Sequence, residues 1–446
     1  MVHGVRIENG SAYYVSRYVK NSRYLQEKEF GKAKFFKYGD MEGAYGLFVV
    51  YIQLLRERLK VLDMTYGHTT SNVGLVYHAG RVMALEDFGK PYVLSVNADG
   101  DLETIGMNNY GGKLDHNFTP HPKKDPVTGE MFIVGLGHTA PYATYRVVNR
   151  DGQIRNAVPI TVSGPTYLHD LAITENYAII MDNPYVFSPE RMVVKDKWVF
   201  SFDATKKSRF GILPRYATDE KDIKWFEFQD PFFVFHTANA WEEEDKVILY
   251  CCIMEPIYNS RTGDFDILPT AFRNFTNKVN RDGPPLSLTL PDLFKLTFNM
   301  STGETTKERI PTFPDSKGVD NPRINEAYMA RKCRFIYTNQ FTENGMAISL
   351  IKYDVETGIR QRISPGANAF FSEHVFVPKQ SPTSEDDGYL LNFVHYERIN
   401  TTVLFVIDAR TLGRICSIEL QTRIPYGFHS IFVSKEELAS QVRTLP

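Results

Sequence analysis

From Ser71 to the carboxyl end, short apolar runs recur with a tight turn between each pair, and this rhythm limits what the chain can fold into. SNVGLVYHAGRVMALEDF turns at Ala79–Gly80, PYVLSVNADGDLETIG at ADGD and DPVTGEMFIVGL at TG. NRDGQIRN, KLTFNMSTGETTKERI, IKYDVETGIRQRI and LFVIDARTLGRICSIEL repeat the device further on. Gly supplies the positive φ that such turns require, while Asp and Thr close them locally. Many hairpins at fairly regular spacing with few helices predict an all-β propeller rather than a sandwich of this length. No strict sequence period accompanies the hairpins, so the repeat is structural. Thr270–Pro285 and Pro378–Gly388 read as long surface loops, and no linker divides the chain. A single domain over residues 1–446 is the expectation.

The most informative hairpin is Phe232–Tyr250, FFVFHTANAWEEEDKVILY. The pattern predicts a strand ending on His236, a short loop through Asn239 and Trp241, an acidic corner at Glu242–Asp245, and a second strand over Val247–Tyr250. FTPHPKKDPVTGEMF around His121, YLHDLAITENYAIIMD around His169 and IPYGFHSIFV around His429 share that grammar. If the four strand ends converge on one axis, their imidazoles can share one metal. Neutral imidazoles suit Fe, Zn or Cu, so the histidines alone leave the metal open. His3, His68, His78, His116, His138, His374 and His395 are read as ordinary core or surface residues. No HExxH, GxSxG or Gly-rich phosphate loop is present, which removes peptidase, serine hydrolase and kinase readings.

A formal charge of −2 without a dense Lys/Arg run argues against a nucleic-acid partner. The hydrophobic fraction of 43% is enough for a large core and an apolar tunnel. Cys251, Cys252, Cys333 and Cys416 show no CxxC spacing; Cys251 and Cys252, adjacent in an apolar strand, read as buried thiols of a reducing compartment. No signal peptide or bilayer-spanning stretch is evident. The chain opens as strand, turn and strand in MVHGVRIENGSAYYVSRYV, and a domain seldom begins in mid-hairpin. A further amino-terminal piece is therefore expected.

One segment departs from β grammar. In Gly43–Asp63, residues Phe48, Tyr51, Ile52, Leu55, Leu59 and Leu62 fall at helical spacing, with Arg56, Arg58 and Lys60 late in the run. An amphipathic helix over 43–63 is predicted. It either covers the core or lies at a lipid interface, where the basic end suits headgroups.

The runs FTPHPKKDPVTGEMF, HDLAITENYAIIMD, FHTANAWEEED, NPRINEAY and RIPYGFHSIFV resemble, in order, the signatures of the carotenoid cleavage oxygenase family. MVHGVRI, SFDATKKSRFGILPRYATDE and DDGYLLNFVHYE look most like the plant enzymes that cleave at the 9,10 and 9′,10′ double bonds. The resemblance implies a seven-bladed β-propeller with a helical cap and an Fe2+ on its axis, held by His121, His169, His236 and His429. It implies a reaction in which O2 splits a conjugated double bond of an apolar polyene into two carbonyl products. Carboxylates that accept the outer N–H of ligand imidazoles fall on Asp87, Asp320 and Glu373. Asp87 stands where the family usually has Glu, and Asn321 where it usually has an aromatic.

Val73 falls beside the expected iron, where many cleaving members carry a small or hydroxyl residue and a retinoid-isomerising relative has valine. The resemblance favours the interfacial reading of the helix, with Phe48, Tyr51, Ile52 and Leu55 facing the membrane. The expected location is cytoplasmic and peripherally membrane-bound, or plastidic if a leader precedes this chain. Alternatives are a stilbene-cleaving or polyene-isomerising relative, or an inactive carotenoid-binding propeller.

Overall fold

The computed structural model describes residues 1–37, 40–65, 70–137, 139–195, 198–259, 264–266, 290–343 and 345–446. The predicted loop Thr270–Pro285, His68 and His138 lie outside the described residues. Six four-stranded antiparallel sheets follow one another as sequential meanders, and we number them blades 1 to 6. Their strands span residues 74–107, 123–161, 172–228, 233–309, 319–363 and 369–419. The first strands of neighbouring blades pack side by side: Ala172–Ile173 on Phe233–Glu243, that strand on Val319–Arg323, and that on Ala369–Pro378. An isolated parallel bridge between His121 and Asp170 continues the ring from blade 2 to blade 3. The apolar core lies between the blades, with Val134, Tyr145, Ile180, Trp241 and Ile336 in one continuous cluster.

The hairpin turns form as their residues dictate. Ala79 (φ 48°) and Gly80 (φ 74°) join paired His78 and Arg81, so both loop residues take the left-handed conformation of a two-residue hairpin. Residues 379–387 between Ala369–Pro378 and Gly388–Tyr396 form the surface connection expected there.

The expected seventh blade is corrected by the structure: six four-stranded blades form among the described residues. The residues before the first helix supply only the two-stranded hairpin Val2–Glu8 with Ser11–Arg17. It leans on blade 1, where Arg6 Nη1 donates to Ala98 O at 2.7 Å and Lys20 N–H to Thr104 Oγ1 at 3.0 Å. The segment after blade 6 also clasps blade 1 without entering a ladder. Val442 N–H reaches Gly80 O at 2.7 Å, and the Gln441 amide holds both backbone groups of Val96, at 2.8 and 3.1 Å.

The Phe232–Tyr250 hairpin also differs from its prediction. No loop interrupts it at Asn239 and Trp241; one strand runs Phe233–Glu243, turns at Glu244–Asp245, and returns as Lys246–Met254. The pairing skips between Val234 and Thr237 and again between Thr237 and Asn239, so two bulges lie in mid-strand. A bulge preserves the strand while re-aiming its side chains, which is how His236 turns inward without ending the strand.

Among the described residues, helices α1 (Ser22–Glu29), α2 (Gly43–Arg58) and α3 (Pro189–Lys195) flank the blades, and a short helix α4 (Lys435–Ala439) follows blade 6. The predicted helix over 43–63 therefore ends early. Lys60 adopts φ 55°, and the amides of Val61 and Leu62 turn back to Arg56 O, closing the terminus with a left-handed residue. α2 packs on α3, and Met41, Val50, Met192 and Val199 join Tyr185, Phe200 and Phe233 in a cap cluster. The helix is inverted in polarity: Gln53 and the small Gly43 and Gly46 are buried, while Tyr45, Phe48, Tyr51, Leu54 and Leu55 are exposed.

Candidate metal centre

His121, His169, His236 and His429 each bring one ring nitrogen to a common point, with all four atoms within 4.8 Å of one another. Ring centroids lie 4.2 Å apart for His121 and His429, and 4.9 Å for His121 and His236. His121 Nε2 stands 3.0 Å from His169 Nε2. Different local devices deliver these rings. His121 sits in the bridge to Asp170, Thr119 Oγ1 fixes the His169 backbone by donating to its carbonyl at 2.7 Å, His236 rides the bulge, and His429 lies in a stretch outside any ladder.

The outer nitrogens are taken up by carboxylates. His169 Nδ1 donates to Asp87 Oδ1 at 2.6 Å, His236 Nδ1 to Asp320 Oδ1 at 2.8 Å, and His429 Nδ1 to Glu373 Oε1 at 2.8 Å. The three carboxylates named from the sequence are thus each brought to a different imidazole. Asp87 lies in the turn after strand Arg81–Leu85, whereas Glu86 points elsewhere and accepts from Thr70. With Nδ1–H donated, Nε2 of each ring carries the free lone pair and faces its neighbours. His236 Nε2 is buried and has no hydrogen-bond partner. A buried acceptor of this kind is costly unless something else satisfies it. Four imidazole nitrogens converging on one point would, as neutral ligands, fit a divalent first-row metal.

The electrostatics push two of the four rings toward the neutral form. Burial pushes the His121 imidazole well below its ordinary value, and the three neighbouring rings add to the effect. Burial also lowers His429, even though Glu373 pulls the other way, because His236 and Arg323 oppose its protonation. His236 moves up instead: burial works against its charge, but Asp320, Asp170 and Glu373 together outweigh it. Glu373 is buried, yet Arg323 and His429 hold its carboxyl far below the usual carboxylate range.

Several participants were not singled out from the sequence. Asp170 is fully buried behind the rings; it pairs with Lys123 Nζ at 2.8 Å and accepts from Thr237 N–H at 2.7 Å and Thr237 Oγ1 at 2.9 Å. It therefore ties the segments bearing His121, His169 and His236 together. The only signal was a carboxylate directly after His169. Arg323 pairs with Glu373 at 2.7 Å. Phe235 stacks on His169 at 4.1 Å and 10°, and Tyr167 lies parallel to both, 5.8 Å from His169 and 6.2 Å from Phe235. These two rings lead into an aromatic wall of Phe88, Tyr185, Phe200 and Phe233 under the α2–α3 cap.

Val73 stands just before blade 1, its N–H bonded to Leu85 O at 3.0 Å. The next residue, Gly74, is pressed on the chain leading to His121: a Cβ there would stand 2.2 Å from Pro120 O. Phe48, Tyr51, Ile52 and Leu55 lie apart from the centre on α2, with Ile52 half-buried and the others exposed. The thiols of Cys251, Cys252 and Cys333 are buried and free, and burial pushes all three up, Cys333 to about 12; Cys416 is free and exposed.

Residues 1–434 match the family described as retinal pigment epithelial membrane protein. The chain is 46% identical to carotenoid 9,10(9′,10′)-cleavage dioxygenase 1 of Arabidopsis thaliana, over 99% of this chain and 81% of that protein. Among solved structures, the lignostilbene dioxygenase of Pseudomonas brassicacearum superposes with a TM-score of 0.78 at 22% identity, covering 97% of this chain and 86% of the other. A cobalt-substituted apocarotenoid oxygenase of Synechocystis gives 0.75 at 22% identity, with coverage of 96% and 85%. These two superpositions show the propeller fold.

Proposed function

Because the chain belongs to the retinal pigment epithelial membrane protein, or carotenoid oxygenase, family, we propose that it is a dioxygenase that splits a conjugated double bond of a carotenoid or apocarotenoid into two carbonyl products. The 9,10 and 9′,10′ bonds are the proposed targets, on the strength of the relatives' activity. The observation that carries the reading is the four-imidazole centre, three of whose rings are set by buried or nearly buried carboxylates, with an aromatic wall on one side. Fe2+ bound by His121, His169, His236 and His429 would supply activation of dioxygen.

The chain's own residues do the rest. Asp87, Asp320 and Glu373 fix which nitrogen of each ring carries the proton and how the ring is turned. Phe235 and Tyr167, both lying parallel to His169, offer flat apolar faces where a planar polyene lies beside the centre. The same wall keeps bulk water from the reacting bond. Val73 shapes the pocket from blade 1.

Apolar substrate has to leave a membrane to reach such a site. No helix among the described residues is long and apolar enough to cross a membrane. We propose attachment by the outward face of α2, Phe48, Tyr51 and Leu55 with half-buried Ile52 beside them, joined by exposed Val193 and Val194 of α3. Arg56, Arg58 and Lys60 at its end suit an anionic, cytoplasm-facing leaflet.

The test is aerobic incubation of iron-loaded protein with a panel of carotenoids and apocarotenoids, with products identified by mass spectrometry beside a His236→Ala control. Paired carbonyl fragments that vanish in the control are expected, and their lengths name the bond. Iron-loaded protein that releases no paired fragments from any member of the panel would overturn the reading.

A further inference from the structure

Strand Val319–Arg323 contributes to the supports of two imidazoles, although simple strand geometry forbids it. Residues three apart on a regular strand point to opposite faces. Here Asp320 meets His236 at 2.8 Å, while Arg323 reaches Glu373, the support of His429, at 2.7 Å. The pairing explains the exception. Asp320 stands opposite Asn339 and Arg323 opposite Tyr337, so three steps along this strand match two along its neighbour. The additional residue is accommodated at Asn321, whose φ is 55°, and Pro322 follows with no N–H to place in the ladder. Asn tolerates that left-handed conformation far better than a β-branched residue does.

His429 needs this support more than the other rings do. It lies within 420–434, a stretch that enters no ladder, and its neighbours Tyr426 and Phe428 are exposed. What holds it is a clamp on the next residue. Glu373 Oε2 accepts Ser430 N–H at 2.7 Å, and Arg323 Nη2 donates to Ser430 O at 2.8 Å. Both backbone groups of Ser430 are thus captured by one Arg–Glu pair, whose remaining oxygen, Glu373 Oε1, receives the His429 ring at 2.8 Å.

We propose that Arg323, turned toward the axis by the Asn321 bulge, is a positioning residue that holds His429 in the metal centre through Glu373 and Ser430. The proposal rests on the metal-centre reading above. A guanidinium is suited to the task because its planar fork can serve a carboxylate and a carbonyl together, which a lysine ammonium on a flexible stem cannot do in the same geometry.

Metal-free parent, Arg323→Lys, Arg323→Met, Asn321→Gly and Asn321→Val proteins would be titrated with Co2+, following its visible absorption, with thermal melting of the same metal-free samples. Arg323→Lys keeps the charge beside Glu373, so it is expected to melt near the parent and yet bind Co2+ about 10- to 100-fold more weakly. Asn321→Gly should bind as the parent does, since Gly accepts the positive φ, whereas Asn321→Val should lose affinity as Arg323→Lys does. If Arg323→Met does not fold, the Arg323→Lys and Asn321→Gly pair still decides. Arg323→Lys protein that melts like the parent and binds Co2+ within about twofold of it would overturn the proposal. That result leaves polyene cleavage intact, whereas a parent that binds Co2+ but cleaves no polyene when loaded with iron overturns the functional reading alone.

Discussion

His169 Nδ1 lies 2.6 Å from Asp87 Oδ1, a contact that spans 82 positions and joins blade 1 to the start of blade 3. The carboxylate extends from a turn rather than from a strand, and this gives Asp enough reach at a position where the resemblance led one to expect Glu. No room remains in that distance for another methylene.

Asp87→Ala is therefore expected to weaken Co2+ or Fe2+ binding by about 10- to 100-fold. Asp87→Asn retains an acceptor for the Nδ1–H and should lose less. Asp87→Glu should fall between parent and Ala, because the longer arm has to fold back to make the same bond. Metal titration of the three variants checks the order, and a Glu variant that binds more tightly than the parent would contradict the geometric argument.

Asp170 makes a different prediction, about stability. It and Lys123 form a pair in which both side chains are at least nine-tenths buried, at 1% and 10% relative exposure respectively. Removing one partner of a buried pair leaves the other charge uncompensated and costs about 3–5 kcal/mol. Asp170→Ala should show that loss in urea unfolding of the metal-free protein. Thr237→Val, which deletes the hydroxyl donor at 2.9 Å but spares the charge pair, should cost about 1 kcal/mol. Equal losses for the two would mean that the ion pair contributes little.

The two residues show where legibility in the sequence ends. The metal-centre histidines and their carboxylates sit in contiguous runs such as FHTANAWEEED and SEHVFVPK, so resemblance carried them to the right positions. Asp170 and Arg323 sit in equally recognisable runs, but their roles depend on partners 67 and 50 positions away, which no local pattern records. Asn and Thr in Phe233–Glu243 carry turn chemistry that reads as a loop, and the ladder with Lys246–Met254 overrides it. The helix over-ran because its stop is Lys60 in a left-handed conformation, without the Gly or Asn that usually marks it. The seventh blade was an inference from resemblance, and residues 1–17 form two strands of their own.

Three histidines outside the metal centre add to the pH dependence of stability. Burial holds His78, His374 and His395 down to about 4 each, with the Arg423 charge adding to the effect at His395. In the unfolded chain each binds its proton near pH 6.5, its ordinary value. Between about 6.5 and 4 the unfolded state therefore holds more protons than the folded one, and stability falls as pH drops through that window, by up to about 1.4 kcal/mol per pH unit for each histidine. Below about 4 these groups contribute no further slope. Glu373, whose carboxyl is held low, adds a separate loss at more acid pH. Urea midpoints of metal-free protein should fall from pH 6.5 to 5, and His78→Gln, which can still donate to Gly129 O, should flatten part of the slope. A midpoint constant over that range would refute the assignment.

The inverted polarity of α2 gives the last prediction. A helix on a water-soluble surface turns its apolar stripe inward, yet here Gln53 is 3% exposed while Phe48 is 59% and Tyr51 63% exposed. Val194 on the adjoining α3 is 79% exposed, so the apolar surface continues across two elements. In the proposed attachment this patch is the apolar contact, and the basic residues at the end of α2 favour a negatively charged surface. Fully burying each large side chain in lipid contributes about 1.5–3 kcal/mol, so replacing two of them with Asp should weaken binding at least about tenfold. Phe48→Asp with Leu55→Asp is therefore expected to lose flotation with vesicles containing anionic lipid, and to keep the parent's melting temperature because neither side chain is in the core. Raised salt should weaken the parent's binding only in part, since apolar burial is not screened. A double variant that floats as well as the parent would show that the exposed face of α2 is not the attachment surface.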